Sequence, residues 1–245
     1  MAAGGEVVIG DVHARPLALL SLLRAVGVID RRGRRRGRWL VVQLGDLLDR
    51  HASVEANLET AQLAAETVDV VLAGNHEARM LAEPASPHGP ALATLAAQGW
   101  PHAASACGGW LVTHAGVHPV FARELPRDAE ECAGELNHRW HSRACGGGEE
   151  LFHAVGPARG GEAPFGGILW LHADELPREP TLPWGQIVGH VPHGEPRLRP
   201  GPCWAIDLGG RRGRLAALVR PGGDLAWRPV VARERAGALP VAAAA

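Results

Sequence analysis

The sequence predicts an α/β fold, on three observations. Short apolar runs ending in turn residues alternate with segments of helical periodicity through the first third of the chain. The last third is rich in strand-forming residues bounded by glycine and proline. Chemically active side chains sit just past the ends of the apolar runs, and open α/β sheets build their sites at that edge.

Each element has a local reason. Val7-Val8-Ile9 reads as the first strand. Pro16 then suits the first turn of a helix, because its fixed φ is already helical, and Leu19, Leu20, Leu22, Leu23 and Val26 recur at helical spacing until about Gly27. Residues 30–38 hold six arginines and two glycines and read as a loop before Trp39, which should be buried at the start of the second strand. Ser53 is placed to cap a second helix running to about Thr67, and residues 68–73 form a third strand. A helix is expected from His76 past Met80 and Leu81, broken by the prolines of residues 84–90, with residues 90–98 helical again. Residues 109–113 read as a strand and residues 130–141 as a helix with Leu136 and Trp140 inward. Residues 146–167, dense in Gly and Pro, read as a long loop. Strands follow at residues 186–188, 203–207, 215–219 and 225–231, the last two antiparallel about Pro221-Gly222-Gly223. No linker divides the chain, so one domain is expected over residues 1–235, with the Ala-rich residues 236–245 a disordered tail.

Composition excludes several classes of function. The formal net charge is -1, so nothing draws the whole chain to nucleic acid or an anionic membrane. All 25 basic residues are arginine, and tyrosine is absent, a pattern that points to GC-rich codon usage and lowers the information carried by any one arginine. No basic segment followed by an apolar one opens the chain and no run is long enough for a membrane span, so a cytoplasmic protein without a membrane partner is expected. Cys107, Cys132, Cys145 and Cys203 form no Cys-x-x-Cys pair and read as free thiols.

The strand ends repeat one grammar. Gly10-Asp11-Val12-His13, Gly45-Asp46-Leu47-Leu48-Asp49-Arg50, Gly74-Asn75-His76-Glu77, His114-Ala115-Gly116 and Gly189-His190 each follow an apolar run. Carboxylate, carboxamide and imidazole together suit Mn, Fe or Zn better than a thiolate-loving ion. A lone histidine at a strand end is more often a hydrogen-bonded turn residue; an ordered set of this kind is a metal site. His118, His138, His141, His153 and His172 stand outside the set and read as surface or core histidines.

In their order these motifs resemble the calcineurin-like metallophosphoesterases, specifically the phosphoprotein phosphatase branch with its bacterial serine/threonine phosphatases and diadenosine tetraphosphatases. The resemblance runs from about Val7 to Val219. It implies a central β-sandwich of two mixed sheets flanked by helices. It implies two divalent ions, expected to be Mn with Fe or Zn as the other candidates, held by Asp11 and His13 on one side, by Asn75, His114 and His190 on the other, and bridged by Asp46. It further implies in-line attack on phosphorus by a metal-bridging hydroxide. His76 would be the general acid, oriented by Asp49, and Arg50 would bind phosphate oxygens. A second phosphate-binding arginine is expected, with Arg159 the candidate because two glycines beside it would let backbone approach a ligand; Arg139 and Arg143 compete.

The chain departs from the pattern in three places. Ala14 and His51 stand where glycines are expected, and both would be strained at positive φ; for His51 the other reading is a side chain that reaches substrate. His193 comes three residues after His190, whereas many metallophosphoesterases use Gly-His-x-His, with the second His completing the first metal site. The expected reaction is hydrolysis of phosphomonoesters, plausibly of phosphoserine or phosphothreonine in proteins, with a phosphoprotein or nucleotide as the substrate partner. Dinucleoside polyphosphate hydrolysis is the alternative enzyme, and an RNA-binding or regulatory protein with a relic metal site is the alternative of another class.

Overall fold

The computed structural model describes residues 4–83, 85–142, 150–176, 181–199, 201–222 and 226–234. In chain order its elements are β1 (Gly5–Ile9), α1 (Pro16–Ala25), β2 (Trp39–Gln43), α2 (Val54–Thr67), β3 (Val70–Val71), α3 (Asn75–Ala82) and α4 (Gly89–Ala96). There follow β4 (Ala104–Cys107), β5 (Trp110–Thr113), α5 (Pro119–Ala122), α6 (Ala129–Ser142), α7 (Glu150–His153), β6 (Gly185–Val188), β7 (Arg197–Arg199), β8 (Cys203–Ala205), β9 (Arg214–Pro221) and β10 (Arg228–Arg233). Two five-stranded sheets result, ordered β10-β9-β1-β2-β3 and β4-β5-β6-β8-β7. In the first, β1, β2 and β3 are parallel and β9 and β10 antiparallel. In the second, β5, β6 and β8 are parallel while β4 and β7 run antiparallel at the edges.

Strand alternation decides how the layers pack. Side chains of successive strand residues point to opposite faces. In β1, Val7 and Ile9 join the cluster under α1 and α2, while Val8 joins the cluster between the sheets. Val41 and Val42 divide the same way in β2. In β5, Leu111 packs with Leu136 and Trp140 of α6, and Val112 faces the other sheet. Central strands are thus buried on both faces, which is why they read as unbroken apolar runs. Each fully buried Val or Leu here contributes about 1.5–3 kcal/mol of burial free energy. The outcome is the two mixed sheets flanked by helices that the resemblance implied.

Most of the expected elements form. The caps act as anticipated, with Pro16 at the first position of α1 and the Ser53 hydroxyl accepting from the Ala56 amide, 3.1 Å. Three differences are instructive. Residues 150–167 are not one loop: Leu151 and Phe152 are buried in α7, Phe152 edge-on to Trp140 at 5.5 Å between centroids, and Pro157–Arg159 makes a 3₁₀ turn. The Gly and Pro density masked those two anchors. The strands β4 and β7 lack any sequence signal; β4 is built of small residues and is held by Asn137 of α6, whose amide bonds Ala103 N, Ala104 N and Ala104 O at 2.8–3.0 Å. β7 is a short charged edge strand, a composition that discourages further pairing.

The arginine segment is more ordered than a solvated loop. Asp30 Oδ1 accepts from the amides of Arg32 and Arg34, Ile29 bridges Arg35, and the Arg35 guanidinium pairs with Asp69 and donates to Trp39 O at 2.7 Å. Trp39 itself is half-buried. Among the described residues no helix is long and apolar enough to cross a membrane. The expected disordered tail, Cys145 and Arg143 lie outside the described residues, as does the start of the strand expected at residue 225.

Candidate metal centre and active site

The site forms where the C-terminal edges of both sheets meet. Asp11 and His13 follow β1, Asp46 follows β2, Asn75 and His76 open α3 after β3, His114 follows β5 and His190 follows β6. Presenting side chains at such sharp turns strains the backbone: His13, Ala14, Asp46 and His190 have φ of 52°, 54°, 49° and 66°. A non-glycine residue in that region costs roughly 1–2 kcal/mol, and such strain persists where the surroundings over-determine it. Ala14 thus carries the strain expected of it; His51 is not among the positive-φ residues. Two glycines are required by close approach, since a Cβ on Gly74 would lie 2.1 Å from Asp46 Oδ1 and one on Gly189 2.0 Å from Asp11 Oδ1.

Asp46 stands between two groups of donors. Its Oδ1 is 3.7 Å from His114 Nε2, which in turn lies 3.2 Å from both Asn75 Oδ1 and His190 Nδ1. Its Oδ2 is 3.9 Å from His13 Nε2. Asp46, His114 and His190 form one group whose ligand atoms all lie within 4.8 Å, and His13, Asp46 and His76 form another. Asp11 sits beside them, its two oxygens accepting from His190 N at 3.3 and 3.1 Å.

The donor set fits divalent cations. His190 Nε2 is buried with no hydrogen-bond partner. Burial lowers the pKa of both His114 and His190, the latter well below its usual value with help from His114 and Arg159, so both rings are neutral and carry a free lone pair, the ligating form. Burial together with Asp207 and Asp46 pushes Asp11 well above the usual carboxylate range. For Asp46, burial acts upward but His114, His76 and His13 outweigh it and hold the carboxyl low. Carboxylates crowded in a buried pocket beside imidazoles with a free lone pair are stabilised by a cation.

His76 is set apart by its partner. Its Nδ1 is 3.2 Å from Asp49 Oδ1 and also 3.2 Å from the Arg50 amide. One tautomer cannot serve both, and the charge-assisted bond to carboxylate is the stronger, which puts a proton on Nδ1 and leaves Nε2 for the cavity. Burial lowers the His76 pKa, but the Asp49 hydrogen bond and the charges of Asp46 and Glu77 outweigh it, and the net shift is upward. Asp49 is fixed in turn: its amide donates to Asn57 Oδ1 and its carbonyl accepts from Asn57 Nδ2, both 2.9 Å.

A cavity of about 650 Å³ opens over the metal side, lined among others by His13, Asp46, Asn75, His76, Arg159 and His190. Arg159 donates from Nη2 to His190 O at 2.9 Å, so among the described arginine candidates it faces the site. Its glycines act differently from the expectation: Gly160 closes the 3₁₀ turn at φ 78°, and Gly161 packs where a Cβ would lie 2.0 Å from Val155 O. Arg139 pairs with Glu135 at 2.6 Å. The Arg50 side chain is exposed and is not part of the cavity wall.

Two residues escaped the motif reading. Glu77 is fully buried; its Oε1 accepts from Leu48 N at 2.7 Å and its Oε2 from Asp46 N and Gly74 N, both 2.9 Å. Besides standing in the first turn of α3, it ties the Asp46 turn to that helix. Asp207 is also buried and lines the cavity, with burial foremost and Asp46 in addition raising its pKa to about 6. It follows an apolar strand as the other site residues do, and that grammar was its available signal.

The sequence matches the family model for calcineurin-like phosphoesterases over residues 7–227. The chain belongs to that family, and is therefore a phosphoesterase with a two-metal site. Solved structures agree on the fold. The chain resembles a cold-active protein tyrosine phosphatase with a TM-score of 0.62 at 17% identity, over 91% of this chain and 78% of that one. A cold-active protein-tyrosine phosphatase of a psychrophilic Shewanella species gives 0.56 at 17% identity, over 91% and 79%. A presumed diadenosine tetraphosphatase gives 0.51 at 19% identity, over 95% and 99%. Among curated proteins, none matches this sequence.

Proposed function

We propose that the protein hydrolyses phosphomonoesters, with phosphoserine and phosphothreonine of proteins as the substrate class. The carrying observation is Asp46, which directs one oxygen to each donor group while His76, backed by Asp49, stands beside both. Asp11, His13 and Asp46 would hold one cation, and Asp46, Asn75, His114 and His190 the other. Bound there, the two cations polarise the phosphate and lower the pKa of water near it. The protein's own groups do the rest. Arg159 holds phosphate oxygens from the cavity wall, which the exposed Arg50 side chain does not line. His76 gives its proton to the leaving oxygen, and Asp49 keeps the ring oriented and stabilises its charged form.

A second reading, hydrolysis of dinucleoside polyphosphates, is favoured by further basic side chains in the cavity lining. Arg212 and Arg214 line it as well as Arg159, and Arg214 Nε is buried with no partner. Such a lining suits phosphates beyond the one cleaved. The likeness to a presumed diadenosine tetraphosphatase supports the same reading.

The test is a panel with added Mn²⁺: p-nitrophenyl phosphate, a phosphoserine peptide and diadenosine tetraphosphate, each with wild type and His76→Asn. Cleavage of the first two is expected, with kcat lowered by about 10²–10⁴ in the variant. Cleavage of diadenosine tetraphosphate alone would establish the second reading. If the wild type cleaves none, both are wrong.

A further inference from the structure

The two donor groups around Asp46 are unequal. On the side of His114 the protein offers Asp46 Oδ1, Asn75, His114 and His190; on the side of His13 it offers only Asp46 Oδ2, Asp11 and His13. His193 does not make up the difference, because its Nδ1 lies 2.9 Å from Arg197 Nη2 and its ring is occupied there.

Asp207 stands outside the two groups whose ligand atoms already lie within 4.8 Å of one another, but at the same sheet edge and in the same cavity lining. The strands β6 and β8 are parallel neighbours, with Val188 opposite Ala205, so two residues beyond each, His190 and Asp207 come to matching positions at the sheet edge. The backbone bonds Ile206 N to Val188 O at 2.9 Å and His193 N to Asp207 O at 2.9 Å hold them in that register. The segment after β8 also lies against the Asp11 turn: a Cβ on Gly10 would be 2.7 Å from Ile206 O, and one on Gly210 2.4 Å from Asp11 O. Asp207 is 1% exposed and lines the same cavity as His13, Asp46 and His190. Its Oδ1 accepts from Gly209 N at 2.6 Å, whereas Oδ2 has no partner. Arg159 lines that cavity too, but no ion pair joins it to Asp207 among the described residues. A buried carboxylate oxygen left in this state is costly unless something positively charged meets it.

We infer that Asp207 is a donor to the first cation, serving in place of the second imidazole that the Gly189-His190-Val191-Pro192-His193 sequence has displaced. The inference rests on the two-metal reading above but assigns a residue to it that the motifs do not contain.

Calorimetric titration of Mn²⁺ into the chelator-treated full-length protein tests it, with wild type, Asp207→Asn and His193→Asn. The expected result is two sites in the wild type. In Asp207→Asn one of them is weaker by at least about 100-fold, beyond the range of about 10–100-fold seen when a group that only supports a ligand is lost; the other is unchanged, and His193→Asn titrates as wild type. The melting temperature of metal-free Asp207→Asn should equal or exceed that of wild type, since an unpaired buried charge is gone, and this shows the variant to be folded. Identical two-site isotherms for wild type and Asp207→Asn overturn the inference, as does weakening in His193→Asn instead. A wild type that takes up no Mn²⁺ overturns the two-metal reading along with it, and is distinguishable from the case of two unchanged isotherms.

Discussion

Glu77 shows how one side chain can set the geometry of a site without facing it. Three amides that would otherwise be buried donors without acceptors, those of Asp46, Leu48 and Gly74, converge on its carboxylate. Replacing it by glutamine keeps the shape but turns one oxygen into an NH₂ group, so that at least one amide meets a donor. A buried polar group left unsatisfied costs about 1–3 kcal/mol, and repulsion adds to that. Urea unfolding of Glu77→Gln should therefore show a loss of about 2–4 kcal/mol, together with weaker Mn²⁺ binding because the Asp46 turn is no longer pinned. A change below about 0.5 kcal/mol would mean that the three bonds are replaceable.

Among the elements, β2 separates the arginine segment from the chemistry. The arginines precede its first residue, Trp39, and Asp46 follows its last, Gln43, so the five residues of the strand put about 15 Å between them. Arg35 has a structural duty to Asp69; the other five arginines of residues 31–38 have exposed side chains. Changing those five to serine should leave kcat/KM for p-nitrophenyl phosphate within about two-fold of wild type. A ten-fold rise in KM would show that the segment reaches substrate after all. Lower affinity for RNA in the same variant, with hydrolysis intact, would be the signature of the binding-protein alternative.

For the molecule as a whole, the cations would act as a clasp between the sheets. Asp11, His13 and Asp46 extend from the first sheet, and His114 and His190 from the second. Removing metal leaves Asp11, Asp46 and Asp207 repelling one another in a buried pocket and takes away a cross-sheet link. Chelation should lower the melting temperature, and Mn²⁺ at about a hundred times its Kd should restore about 2.7 kcal/mol per site. A melting curve unmoved by either treatment would count against tight binding in the native state.

The sequence by itself determined the α/β class, the order of the main elements and the candidate metal-binding side chains that the fold gathers at one edge, because each stands at a fixed offset from an apolar run and such local spacing survives in one dimension. The early β-α units could be read from periodicity alone, and Pro16 and Ser53 placed helix starts correctly. What required the tertiary structure were relations between distant segments. Glu77 looks like a helix-start residue until the Asp46 turn is seen folded onto it. Asp207 looks like a strand end until β6 and β8 are known to be neighbours. The motif pointed to Arg50 first and left Arg159 to compete with Arg139 and Arg143, and only the fold puts Arg159 in the cavity wall with Arg50 outside it. Burial and cross-strand register are properties of pairs of segments brought together by packing, and no local pattern encodes them.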